Sequence, residues 1–337
     1  MKLKISVLDQ SPLLEGADAS EALRQTIRLA KRAEALGYGR YWVAEHHDTP
    51  GLAGSAPEVL IAAIAANTAR IRVGSGGVLL PHYSPYKVAE QFRVLEALSP
   101  GRIDLGLGRA PGGMPLASKA LRYGRTKIMD DRLPDAMLEL HGYLHDRLPE
   151  GHELQGLRAT PVVATAPELW LLGSSVVSAE IAAKLGGAFV FAHFINGDDG
   201  VQVVRDYREA FRPGPLGDAP RVMVAVHVVC AERDEDAEAY ATALDLRFLL
   251  FEQGQFGRPF PTPEEVRDYP YSEWDRMRIR ENRKRMLVGG PEAIREKLAA
   301  FADAYGVDEL IVVTYAPTYE ARLRSYELLA ESTIGSQ

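Results

Sequence analysis

A regular alternation of strand-like and helix-like segments constrains the fold of this 337-residue chain more than any other feature. Short runs of apolar and β-branched residues are each followed by a segment of helical periodicity, which predicts parallel strands joined by helices. Eight strands are expected, at residues 3–8, 41–44, 71–80, 102–107, 168–172, 188–192, 221–230 and 309–314. Eight such units in this length predict a closed (β/α)8 barrel, the TIM barrel, as a single domain over residues 1–337.

A doubly wound open sheet is the alternative fold. Such a sheet usually carries a glycine-rich phosphate turn after its first strand. Here the first strand leads into residues 9–16, which read DQSPLLEG and contain no such turn. The barrel is therefore favoured.

One segment interrupts the alternation. Residues 253–285 combine prolines and aromatic residues with the basic run RMRIRENRKR at 276–285. This length exceeds an ordinary connection, so we expect an insertion that is either structured or an active-site lid. The basic run is also typical of a solvated helix face. A further helix is expected over 128–145, with a break or a late start near Leu133 because Pro134 follows.

Composition argues against several classes of partner. The net charge is −7, from 39 basic and 46 acidic residues, which disfavours nucleic acid and anionic membranes as partners. No apolar run approaches the roughly 18 residues that span a bilayer. The single Cys230 excludes a disulfide framework and indicates a reducing compartment, so we expect a soluble, cytoplasmic protein.

The second strand ends in Glu45, His46 and His47. A buried strand has little packing use for three titratable groups, whereas the carboxyl ends of barrel strands form active sites. A capping histidine beside a surface one is the alternative. A metal site is not expected, because adjacent histidines on an extended segment project to opposite sides. The triplet is therefore a candidate acid–base cluster.

Two further strand ends suggest an anion site. The strand at 102–107 runs into glycines and Arg109, which could hold an anion bidentately or could be a surface arginine. The strand at 168–172 enters a turn at which a helix starts at once. The N–H groups of a helix N-terminus, together with hydroxyl groups, can bind phosphate, although N-capping is the simpler alternative. The candidate residues of this turn are Gly173, Ser174, Ser175 and Ser178.

Arg109 and the serine turn end neighbouring strands of a barrel, so together they predict a ligand that carries phosphate. The strand at 71–80 adds Gly74, Gly76 and Gly77. Glycines weaken a strand interior unless a ligand or another backbone approaches closely, so they indicate either a flat ligand or a β-bulge.

These motifs together resemble the bacterial luciferase-like, flavin-dependent monooxygenases, most closely the alkanal-monooxygenase-like branch. The segments that carry the resemblance are WVAEHH at 42–47, VGSGGVLLP at 73–81, SPYKVAEQ at 84–91, SPGRIDLGLGR at 99–109 and LGSSVVSAE at 172–180. The resemblance implies a TIM barrel that binds FMN. It also implies that reduced FMN and O₂ form a C4a-hydroperoxyflavin, which oxygenates a small organic substrate. A separate flavin reductase and a homodimer are expected as well.

The resemblance also assigns roles to residues. His46 matches the catalytic histidine near the flavin, Gly76 and Gly77 match a non-prolyl cis peptide under its ring, and Glu90 matches a glutamate near the ring. Arg109, Ser174, Ser175 and Ser178 match the phosphate contacts, and residues 253–285 match a mobile loop. The substrate pocket is expected to involve Asp9, Gln10, His193, Phe194 and the insertion.

Two alternatives within the same fold remain. One is an oxidoreductase that transfers hydride with the deazaflavin F420. The other is a protein that binds FMN without catalysis.

Overall fold

The computed structural model describes residues 3–109, 114–121, 132–256, 258 and 260–335. The strands are β1 Lys4–Asp9, β2 Arg40–Val43, β3 Arg72–Val78, β4 Ile103–Gly108, β5 Glu168–Gly173, β6 Ala188–Ala192, β7 Val222–Cys230, β8 Met286–Gly289 and β9 Glu309–Val313. The helices are α1 Ala19–Leu36, α2 Pro57–Ala66, α3 Pro85–Leu98, α4 Pro115–Leu121, α5 Leu133–Leu144, α6 Val176–Leu185, α7 Gly200–Ala210, α8 Asp234–Glu252, α9 Pro263–Asp268, α10 Glu273–Arg283, α11 Pro291–Tyr305 and α12 Tyr319–Thr333.

Eight parallel strands close into a barrel in the order β1, β2, β3, β4, β5, β6, β7 and β9. Closure is completed by pairing of β9 with β1, Lys4 lying opposite Glu309. The predicted TIM barrel is confirmed. A ninth strand, β8, pairs with the C-terminal part of β7 outside the closed barrel, and the sequence analysis did not predict it.

Local sequence signals set many of the element ends. Helices α1 and α6 end at Gly37 and Gly186, both in the left-handed conformation that glycine adopts without strain. Helix α5 begins at Leu133 with Pro134 in its first turn, at the position predicted for a break or a late start. Residues 122–131 lie outside the described part of the chain, so the earlier part of the predicted helix is not described.

An ion-pair network fills the N-terminal end of the barrel. Arg40 Nη1 lies 2.9 Å from Asp104 Oδ2, and Arg40 Nε lies 2.9 Å from Glu309 Oε1. Trp42 Nε1 donates to the same Asp104 oxygen at 2.8 Å. These buried groups satisfy one another. The C-terminal end of the barrel is the one that holds the cavity described below.

The predicted insertion is structured. Helices α9 and α10 each begin with a reciprocal capping box, at Thr262 and Ser272. Helix α10 packs on α8 through ion pairs from Arg283 to the buried Asp245 (2.7 Å) and from Arg278 to Glu252 (2.9 Å). The basic run therefore serves in part to dock the insertion. Movement of this segment as a lid stays a prediction.

Candidate functional site

A cavity of about 220 Å³ opens at the C-terminal ends of the barrel strands. Eight of the nine predicted site residues line it. They are His46, Gly76, Gly77, Arg109, Gly173, Ser174, Ser175 and Ser178. Apolar side chains, among them Leu8, Trp42 and Leu172, supply much of the remaining wall.

His46 presents an unsatisfied nitrogen in this region. Its backbone N–H donates to the carbonyl of Gly54 at 2.8 Å, which fixes the loop that follows β2. Its ring Nδ1 is buried and finds no hydrogen-bond partner among the described residues. Burial, with a smaller effect from His47, lowers the pKa of His46 to about 4. The imidazole is therefore neutral at pH 7 and can exchange a hydrogen bond with a ligand.

Glu45 and His47 have a different role. Glu45 Oε1 lies 2.6 Å from His47 Nε2 and accepts from the Tyr83 hydroxyl at 2.6 Å. Glu45 Oε2 accepts from the backbone N–H of Leu79 at 3.0 Å. Glu45 thus joins the end of β2 to the segment after β3 and holds His47 turned toward itself. Tyr83 was not predicted from the sequence because it lies in a loop without a strand-end signal.

The glycines of β3 lie where the strand is irregular and where it borders the cavity. The peptide between Gly76 and Gly77 is cis, as the resemblance implied, and both residues line the cavity. The register of β3 against β4 shifts between Ser75 and Val78, so the strand is irregular at these glycines. A Cβ at Gly77 would lie 2.7 Å from the carbonyl oxygen of Gly106. Close approach of the neighbouring strand therefore requires glycine at this position, whether or not a ligand is bound.

The residues predicted to bind an anion lie at the ends of β4 and β5. Arg109 Nη2 lies 3.5 Å from Ser175 Oγ, and Arg109 forms no ion pair with any described residue. Ser175 Oγ lies 3.5 Å from Ser178 Oγ. The predicted proximity of Arg109 and the serine turn is thus observed.

Capping does not account for these serines. Ser175 is the N-cap residue of α6, yet within the described chain its side chain accepts no capping hydrogen bond. A Cβ at Gly173 would lie 2.2 Å from Ser178 Cβ, so glycine is needed where β5 passes the start of α6. Asn196 Nδ2 donates to the carbonyl of Ser174 at 3.2 Å and supports the turn. Asn196 was not predicted from the sequence, although a polar residue shortly after β6 is a usable signal.

The structure contradicts the predicted position of Glu90 in the site. It is absent from the cavity wall and lies on the outer side of the barrel, in a groove between α2 and α3. Its carboxylate accepts from Thr160 Oγ1 at 3.4 Å and lies 3.5 Å from Lys87 Nζ. Glu90 is on the surface of α3 because the helix directs its other face, with Ala89 and Phe92, into the core. We assign it no part in the site.

Of the four residues expected in the substrate pocket, two line the cavity and two do not. Gln10 and Phe194 line the cavity. Asp9 instead is buried in an ion pair with Arg322 at 2.8 Å, and His193 lies between the Tyr305 hydroxyl and the Lys284 carbonyl, each at 2.8 Å. Both are structural residues that sequence alone could not distinguish from pocket residues.

The described part of the chain shows neither a cluster of candidate metal ligands nor a helix that could span a membrane. No group of three or more histidine, cysteine, aspartate or glutamate side chains is arranged to hold a metal ion there. Among the same residues, no helix has the length and apolar character needed to cross a bilayer.

Several known proteins are similar to this chain over nearly its whole length. Uncharacterized protein YwcH of Bacillus subtilis is 54% identical over 98% of this chain and 99% of its own. The N-acetyl-S-alkylcysteine monooxygenase of the same organism is 37% identical over 99% of both. The crystal structure of apo-MsnO8 superposes with a TM-score of 0.87 at 41% identity, covering 98% of each chain.

More distant structures share the fold and indicate the range of cofactors. The oxygenating constituent of 3,6-diketocamphane monooxygenase from a Pseudomonas putida plasmid, in complex with FMN, has a TM-score of 0.72 at 22% identity, covering 99% of this chain and 98% of its own. An F420-dependent secondary alcohol dehydrogenase has a TM-score of 0.68 at 17% identity and covers 99% of both chains. Proteins of this fold thus use FMN or F420.

Most of this chain matches one protein family. Residues 1–309 match the family described as luciferase-like monooxygenase, which includes the predicted barrel strands up to the start of β9. Together with the full-length relatives, this match shows that the chain belongs to the luciferase-like monooxygenase family.

Proposed function

We propose that this protein is a flavin-dependent monooxygenase that uses reduced FMN and O₂ to oxygenate a small organic substrate. The observation that carries the proposal is one cavity with two chemically different ends. Arg109 and the three serines line it where β4 and β5 end, and His46 lines it where β2 ends. FMN has the matching arrangement, a phosphate at one end and a flat ring at the other.

The residues of the cavity fit FMN. Arg109 and the hydroxyls of Ser174, Ser175 and Ser178 would hold the phosphate, since arginine and helix N-terminal N–H groups both favour dianionic oxygens. Gly76 and Gly77 would form a wall without side chains for the ring. FMN, when bound and reduced, supplies the activation of O₂. The apolar wall would exclude water from the cavity, and the imidazole of His46, which lines it, would accept and return a proton.

The two alternatives differ in measurable ways. Use of F420 would give hydride transfer without oxygen incorporation, and a non-catalytic protein would bind FMN without turnover. The proposal is tested by supplying reduced FMN from an added reductase, with ¹⁸O₂ and a panel of substrates. The name of the N-acetyl-S-alkylcysteine monooxygenase makes N-acetyl-S-alkylcysteines the first compounds to test. Incorporation of one ¹⁸O atom supports the proposal, whereas oxidation without label contradicts it.

We further propose that the reduced flavin comes from a separate reductase in the same, cytoplasmic, compartment. The chain carries no glycine-rich nicotinamide fingerprint in its sequence. Rapid oxidation of NADH or NADPH by the purified protein with FMN alone would contradict this.

A homodimer is proposed on the face formed by α2 and α3. Val59, Val94 and Leu98 are 67%, 45% and 71% exposed there and form an apolar surface around the groove that holds Glu90. Sedimentation should show a dimer that Leu98→Glu dissociates. Leu116→Glu, at an equally exposed leucine on α4, should leave the mass unchanged.

A further inference from the structure

A second cavity, of about 190 Å³, adjoins the first one. Gln10 and His46 line both cavities. A molecule in the second cavity would therefore lie next to the residues that face the proposed flavin site. This position suits a substrate, which must meet the activated oxygen without displacing the flavin.

The walls of the second cavity are largely apolar and aromatic. Phe248 and Phe251 come from α8, Tyr315 follows β9, and Leu52 belongs to the loop after β2. Tyr315 donates from its hydroxyl to Gln10 Oε1, which ties the two cavities together. Such walls favour an apolar chain.

One charged group in this wall, Arg247, has no counter-charge among the described residues. Arg247 of α8 forms no ion pair or hydrogen bond with any residue in the described ranges, and its guanidinium lies 5.8 Å from the ring centre of Tyr315 and 5.9 Å from that of Phe260. Its Nη2 reaches the loop after β2, since a Cβ at Gly51 would lie 3.4 Å from it. The side chain is half-buried. A guanidinium placed against aromatic rings, with no acid beside it, retains unused donors for an anion.

Arg258 provides an internal comparison. It lines the same cavity, but its Nη2 lies 3.0 Å from Glu265 Oε1 and its Nη1 donates to Gln255. Its charge is therefore already matched by a residue of α9. Of these two arginines, Arg247 is the one available to a ligand.

We propose that the second cavity binds the substrate, and that the substrate is an organic carboxylate whose apolar part packs on Phe248 and Phe251 while its carboxylate pairs with Arg247. The assignment of the cavity to substrate rests on the proposed monooxygenase function. The planar guanidinium matches a carboxylate in a bidentate geometry. The end of the molecule away from the carboxylate would then lie toward Gln10 and His46.

The test compares matched ligands by calorimetry on the FMN-loaded protein. The probes are n-alkanoates of four to ten carbons and the n-alkanamides of equal length, which differ in charge and little in shape. At least one alkanoate should bind tenfold or more tightly than its amide. Arg247→Met should reduce this preference to less than twofold, whereas Arg258→Gln should retain it.

Control measurements keep this result separate from folding and from the proposed function. The affinity for FMN should be the same in wild type and both variants, because neither arginine lines the first cavity. The titrations are repeated without FMN, so failure to bind FMN overturns the proposed function and leaves the anion site measurable. Equal binding of acids and amides at every length, binding of neither, or equal loss in both variants would overturn the proposal.

Discussion

Replacement of His46 by glutamine tests the electrostatic description of the site. The neutral imidazole is favoured because burial lowers the pKa of His46 to about 4, from about 6.5 in the unfolded chain. Between these values the unfolded chain binds more protons than the folded one. Histidine at this position therefore makes the protein less stable as the pH falls from about 6.5 towards 4. Above pH 7 both states are neutral and the contribution vanishes.

The size of the effect follows from the two pKa values. One pKa unit corresponds to 1.36 kcal/mol, so the full difference would be about 3 kcal/mol below pH 4. Between pH 7 and pH 5 the wild type should lose about 2 kcal/mol of unfolding free energy that the His46→Gln variant does not lose. Partial solvent access of the ring makes this an upper value.

The assay is urea denaturation of both proteins at pH 7 and pH 5. The double difference removes the contributions of groups distant from residue 46, which are the same in both proteins. Nuclear magnetic resonance titration of the His46 ring, assigned by its loss in the variant, measures the pKa directly. A double difference near zero, together with a pKa close to 6.5, would refute the reasoning.

Three other perturbations have defined outcomes. Arg109→Gln removes a charge-assisted contact worth about 1.5–3 kcal/mol, so titration should show FMN binding weakened about 10- to 100-fold; equal weakening of riboflavin would contradict a phosphate contact. Gly77→Ala forces a Cβ to 2.7 Å from the Gly106 carbonyl oxygen and should cost about 2 kcal/mol or more in urea denaturation. The control is Gly16→Ala, where a Cβ would meet nothing within 4 Å but φ is +74°; it should lower the free energy of unfolding by about 1 kcal/mol. The same loss of stability at Gly77 and Gly16 would refute the clash. Glu45→Ala leaves the donors of Tyr83, His47 and Leu79 without their acceptor and should lower the free energy of unfolding by about 3 kcal/mol. Glu45→Gln keeps an acceptor oxygen and should retain most of that stability. Equal losses in the two variants would indicate that hydrogen bonding is not the cause.

The barrel and the polar residues of the cavity wall could be predicted because both depend on local patterns. Apolar runs followed by helical periodicity indicate β/α units, and closure of the barrel brings the ends of all its strands to one face. His46, Arg109 and Ser175 each follow a strand, so identification of the strands was enough to bring them together. The four-residue strand β8 was missed because it follows directly on the charged end of α10 and has little pattern of its own.

The remaining errors concern contacts between residues far apart in the sequence. Asp9 and His193 have the same strand-end position as true cavity residues, but Arg322 and Tyr305 occupy their polar atoms. Glu90 was assigned by resemblance, whereas the orientation of α3 turns it to the surface. The lowered pKa of His46 depends on how deeply the ring is buried, which no local pattern specifies.

The most direct test of the central claim, that this cavity is built around the phosphate of FMN, is a pair of titrations of the wild-type protein with FMN and with riboflavin. The two ligands share the ring and differ in the phosphate. With Arg109 and three serines at one end of the cavity, FMN should bind at least tenfold more tightly, a difference of about 1.4 kcal/mol. Equal affinities for the two ligands would contradict the claim.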